Sequence, residues 1–141
     1  MKYSVFILCM IFLLQSCSYH VEKINIGKDQ CHFCKMTIAD AHFGGAILTK
    51  KGKTYKFDDM FCVQSFVKSD FLDKKEIKAI YIQNYSRENE LLDVNKAYII
   101  EGPNLNGPMN GKWIGFSSQD AYMPLDKVIQ GNHVQASIFV E

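Results

Sequence analysis

Neither sign of charge prevails in this 141-residue chain: 16 basic residues stand against 15 acidic ones, a formal charge of +1. Nothing in that balance suggests a nucleic-acid binder or a polybasic membrane surface. No apolar run approaches the ~20 residues that a membrane-spanning helix needs. No low-complexity segment follows the first residues. No serine–histidine–acid set, phosphate-cradling glycine loop or paired acid/base carboxylates stand out, so the residues do not suggest an enzyme. Disorder is excluded too, because 48% of the residues are hydrophobic and 13% aromatic, ample apolar surface to offset the ordering entropy. What remains is one globular domain, or two small fused ones.

The first residues read as an address. Lys2 is the only charge before an apolar run over 5–14 (VFILCMIFLL). Its length suits a signal peptide. Leu14-Gln15-Ser16-Cys17 follows and resembles the bacterial lipobox, which is cut before its cysteine, leaving that residue acylated. Residues 1–16 are thus expected to be a signal, Cys17 a lipidation site, and 17–30 a polar lipidated tether to a domain over 31–141. Two or more acyl chains would hold the protein on a membrane where one would not.

Processing also changes the cysteine arithmetic. Of five cysteines, Cys9 leaves with the signal and Cys17 takes lipid, so Cys31, Cys34 and Cys62 remain. An oxidising extracytoplasmic compartment favours paired disulfides, but three is odd. The count points to a site that uses sulfur.

Turn residues and periodicity divide the domain into two similar halves, about 31–90 and 91–141. In the first, 46–49 (AILT) and 54–57 (TYKF) read as a hairpin around Gly52. A helix with Asp58 as N-cap then carries Met60, Val63, Phe66 and Val67 at helical spacing. The strand 77–83 (IKAIYIQ) closes the unit. The second half has strands at 97–101 and 113–116, a loop over 102–111 (GPNLNGPMNG), a helical stretch after Ser117-Ser118 that Pro124 kinks or ends, and a strand at 134–140. Phe57-Asp58-Asp59 and Phe116-Ser117-Ser118 fall at equivalent places. The predicted class is α+β: two tandem ββαβ-type units with short helices packed on antiparallel sheets.

The richest segment is Cys31-His32-Phe33-Cys34-Lys35-Met36. If the chain is extended from Cys34, then Cys34 and Met36 share one side, about 6.6 Å apart. A thiolate with a thioether selects a soft ion, for which Cu(I) is the obvious candidate. Met109, in the glycine- and proline-rich loop, is the next thioether that could close over a site. Three other readings stay open: a local disulfide, a zinc site using Cys31, Cys34, Cys62 and a histidine such as His42, and a thiol–disulfide oxidoreductase working through Cys31 and Cys34. Cys62 could equally be an inert core cysteine, and His32 is expected to face away from the ligands.

Taken together, the lipobox cysteine, Cys31-x-x-Cys34-x-Met36, Gly44-Gly45, Phe57-Asp58-Asp59-x-x-Cys62, Pro108-Met109 and Gly115-Phe116-Ser117-Ser118 resemble the NosL family, the lipoproteins that accompany nitrous-oxide reductase. The resemblance spans nearly all of residues 17–141. It departs at His32-Phe33 and Lys35, where small residues such as glycine are frequent in relatives. It implies a non-enzymatic, membrane-anchored Cu(I) carrier on the periplasmic side of the outer or inner membrane. The implied partners are nitrous-oxide reductase and its accessory transporter. Metal binding is implied for Cys34 and Met36, with Met109 a third donor; Cys31 and Cys62 match motif positions and complete the candidate set.

Overall fold

The computed structural model describes residues 19–140; the signal segment and Cys17 lie outside them. Seven strands form two antiparallel sheets. Strands β1 (Gly45–Thr49) and β2 (Thr54–Phe57) make the expected hairpin, and β3 (Ile77–Gln83) pairs with the other edge of β1. A short β4 (Leu91–Asp93), which lacks a periodic signal, extends this sheet to the order β2-β1-β3-β4. In the second sheet β5 (Tyr98–Glu101) lies between β6 (Trp113–Phe116) and β7 (Asn132–Val134). Both halves thus place the first strand of each unit in the middle, as a repeated ββαβ path requires. The class is α+β.

Helix α1 (Met60–Lys68) turns Met60, Cys62, Val63, Phe66 and Val67 inward, while Phe61 stays exposed. Its N-cap is Asp59, not Asp58: Asp59 Oδ1 accepts from the Phe61 amide at 2.8 Å. Ser118 caps α2 (Gln119–Tyr122) at the equivalent place, so the paired Phe-Asp-Asp and Phe-Ser-Ser triplets hold a common strand-to-helix turn with the third residue as cap. The second helical stretch is broken. After α2 a 3₁₀ turn (Met123–Leu125) carries Pro124, and α3 (Asp126–Ile129) follows. Proline lacks the amide that would continue the ladder, which accounts for the break. The predicted last strand is also shorter and earlier: β7 ends at Val134, and Ala136–Phe139 is a 3₁₀ turn that buries Phe139.

Part of the segment read as a tether is built into the fold. Ile24 is buried in the core, the Gly27 amide donates to the Ile38 carbonyl, and Lys56 of β2 pairs with Asp29 at 2.8 Å. The larger core cluster contains Cys31, Cys62, Phe57, Ile82, Ile99 and Phe139, so it draws on both halves. Gly115 of β6 comes so close to β3 that a Cβ there would stand 2.6 Å from Ile82.

Candidate metal centre

Residues 31–36 form a tight turn rather than an extended strand. The Cys31 amide donates to the Met36 carbonyl at 2.8 Å, the Lys35 amide to the Cys31 carbonyl at 3.0 Å, and Gln30 bridges to Thr37. Lys35 carries a φ of 66°, the left-handed region in which glycine is least strained. This turn removes the premise that Cys34 and Met36 alternate as in a strand. The turn curls its amides toward sulfur instead.

The strand-to-helix turn after β2 meets this knuckle. Cys62 lies in the first turn of α1, and the sulfurs of Cys31, Cys34 and Cys62 all lie within 4.8 Å of one another. Cys31 and Cys62 are fully buried and Cys34 is half-buried; none is in a disulfide. Cys34 and Cys62 are 28 residues apart in sequence, so two distant elements bring three thiols to one point. The thioethers sit differently. Met36 is 45% exposed, and Met109 is half-buried with its side chain against the larger core cluster.

The three thiols are not equivalent. The Cys62 thiol donates to Cys31 Sγ, and amides of Asp58, Cys34 and Phe33 donate there too; against the opposing effect of burial they draw the Cys31 pKa down to about 5. Cys62 is pushed up because its proton is held by Cys31, and burial adds to this. Cys34 is raised by burial and by the neighbouring Cys31 charge, although the Met36 amide works the other way. These shifts favour a thiolate on Cys31 with the other two sulfurs protonated. Beside it, burial and then the Cys31 charge lift the Asp58 carboxyl to about 6, and Asp58 Oδ1 has no hydrogen-bond partner among the described residues.

The histidines lie apart from the sulfurs. His32 turns toward β2, where its Nδ1 accepts from the Lys56 amide at 3.0 Å and its ring stands edge-on to Tyr55. His42 pairs with Asp40 at 3.0 Å and packs on Tyr85. Among the described residues, the three-sulfur group contains no histidine or carboxylate, which leaves the His42 zinc reading without its fourth ligand. Nor are Cys31 and Cys34 at a helix N-terminus, the placement that thioredoxin-type chemistry uses.

Asp59 ties the other half to the site, a role that capping signals alone do not reveal. Its Oδ2 accepts from the amides of Met109 at 3.0 Å and Gly111 at 2.9 Å. The loop must be glycine where it wraps the carboxylate: a Cβ on Gly111 would stand 1.8 Å from Asp59 Oδ1, and one on Gly107 2.3 Å from Oδ2. A cavity of about 660 Å³ lies elsewhere, between Ile77, Ile80 and Val134.

Comparison with known proteins agrees with this architecture. The NosL family model matches residues 23–135. A crystal structure described as the copper chaperone NosL from Shewanella denitrificans superposes with a TM-score of 0.70 at 17% identity, covering 85% of this chain and 95% of that one. No curated protein matches. With the family model spanning most of its length, the chain belongs to the NosL family.

Proposed function

We propose that the protein is a membrane-anchored, extracytoplasmic Cu(I) carrier, not an enzyme, that delivers its ion to a copper enzyme during maturation, nitrous-oxide reductase being the client the family name suggests. The observation that carries this reading is the convergence of Cys31, Cys34 and Cys62 within 4.8 Å, with only Cys34 partly open to the surface. Thiolates favour soft ions such as Cu(I), whereas structural zinc takes four ligands. The Cys31 thiolate offers the first donor and neutralises the monovalent charge. Cys34 would then join from the rim and Cys62 from the core, each releasing its proton to water on binding.

Transfer proceeds by ligand exchange at the rim. Cys34 is the sulfur that an incoming partner ligand reaches first, and the exposed thioether of Met36, two residues along the chain, would supply a neutral donor while the set is incomplete. Met109 closes from the loop. Cys17 supplies the lipid anchor. A Cu(I) titration against a competing chelator under reducing conditions tests the assignment. One equivalent should bind tightly and zinc weakly. Cys31→Ser and Cys62→Ser should abolish tight binding, while Met36→Ala should weaken it and leave the unfolding curve in place. Binding that depends on Cys31 and Cys34 but ignores Cys62 and Met36 would overturn it in favour of a redox pair.

A further inference from the structure

The near-neutral total conceals a segregation of charge. Strand β2 and helix α1 run in succession toward and away from the sulfurs, so the β1–β2 turn and the end of α1 share the opposite pole of the molecule. The Lys50 amide donates to the Glu76 carbonyl, which joins the hairpin tip to the turn before β3. Here Lys50, Lys51, Lys53, Lys75 and Lys78 are all exposed. Against them stand Asp70, exposed just before Phe71, Asp73, which caps the turn, and Glu76, which pairs with Lys51 at 3.2 Å. Two aromatic rings are exposed at the same pole: Phe71, 72% open just past α1, and Tyr19, 42% open.

Tyr19 also fixes where the chain enters. Its ring covers Gly52 at the hairpin tip so closely that a Cβ there would stand 2.4 Å from it, and its carbonyl accepts from Lys78 Nζ. Residue 17 is two positions upstream. Tyr19 is therefore fixed at the lysine-rich pole, while the three sulfurs lie toward the other end of β2 and α1, with about 9 Å of helix between Cys62 and Lys68. Lysines are drawn to anionic headgroups, tyrosine rings settle at the headgroup level, and an exposed phenylalanine can bury itself at the acyl boundary.

From this coincidence we infer that the pole formed by residues 50–53 and 71–78 docks on an anionic phospholipid surface and holds the sulfur centre facing away from the bilayer. The orientation rests on the membrane-anchored reading above; the attraction to anionic lipid does not. The acylated full chain, reconstituted into vesicles of phosphatidylcholine alone or mixed with phosphatidylglycerol, tests it by amide hydrogen exchange. On the mixed vesicles exchange should slow several-fold at 50–53 and 71–78 and stay unchanged at 31–36 and 107–111. High salt should reverse the slowing. The triple variant Lys50→Glu, Lys53→Glu, Lys75→Glu should lose the slowing, since each lysine removed weakens attraction to the surface about fivefold. Lys28→Glu, Lys112→Glu, Lys127→Glu, an equal change in charge elsewhere, should keep it. Equal exchange on both lipids, or slowing at 31–36, overturns the proposal. Mass spectrometry of the N-terminal peptide reports acylation separately. Should that peptide prove bare, the anchor reading fails, and the unacylated chain must still sediment with the mixed vesicles at low salt for the docking surface to stand.

Discussion

Replacing Asp59 by asparagine should separate two tasks that one carboxylate performs. Oδ1 holds the Phe61 amide at the start of α1, and Oδ2 holds the amides of Met109 and Gly111. Asparagine keeps an oxygen for the helix but presents an amide group, itself a donor, to the two loop N–H groups. Asp59 is 1% exposed, so water does not substitute easily. A hydrogen bond to a charged group is worth roughly 1.5–3 kcal/mol. Partial solvation of the Met109 amide lowers the sum, which leaves a loss of about 3 kcal/mol for the pair. With a urea m-value of about 1.5 kcal/mol/M, the midpoint should fall by about 2 M. Far-ultraviolet dichroism should be nearly unchanged, since the cap survives. Amide exchange at Met109 and Gly111 should quicken about a hundredfold, the equivalent of that energy. Asp59→Ala should lose about a further 1 kcal/mol through the cap. A midpoint shift below about 0.5 M, with Met109 and Gly111 still protected, would refute the claim that Asp59 holds the loop.

Other outcomes can be stated more briefly. Gly111→Ala drives a methyl onto the same carboxylate, so it should destabilise about as much as Asp59→Asn, and the double variant should be far from additive in urea unfolding. The Cys31 value of about 5 lies below the ordinary thiol range near 8.5, so the thiolate's contribution to stability is full at alkaline pH and drains away as pH falls toward about 5. Urea midpoints of the reduced, metal-free chain across that window check it, and Cys31→Ser should flatten the dependence. Asp58 works in the opposite sense: its raised pKa stabilises the fold below the ordinary carboxyl range, and that contribution is lost as pH rises through about 6, so Asp58→Asn should raise stability at neutral pH and leave it unchanged near pH 4. Cys17→Ser should shift the protein from the membrane to the soluble fraction or stall its processing; unchanged membrane association by fractionation would contradict the anchor.

The legible parts of the fold are those whose signals are local. Alternation in TYKF, the helical recurrence of Met60, Val63, Phe66 and Val67, and the Gly52 hairpin all give elements where they stand. The choice between Asp58 and Asp59 as cap was not legible, because both residues suit the position. It is decided by the second half of the chain, whose loop amides need the Asp59 carboxylate, and by the Ala39 amide, which donates to Asp58. The left-handed Lys35 was hidden for a different reason: lysine carries no preference for that conformation, and only closure between Cys31 and Met36 imposes it. The β-branched tail at 134–140 suggested a strand, yet β5 offers it only three residues of pairing, and burial of Phe139 takes the rest into a turn. The odd thiol count pointed to a site that uses sulfur, and three thiols do converge. That Cys62 stands with Cys31 and Cys34 follows from where the β2–α1 turn crosses the knuckle, which spacing does not encode.

The Asp59 clasp makes the two repeats a single body in stability, whatever their kinship in path. A gene divided near residue 91 would encode one fragment with a buried carboxylate lacking its loop donors, and another whose Met109 and Gly111 amides lack their acceptor. Phe139 would also leave the cluster it completes around Phe57 and Ile82. Neither fragment should fold alone, while a mixture should reconstitute the native dichroism by complementation; an autonomous, cooperatively melting fragment would show the halves to be independent after all.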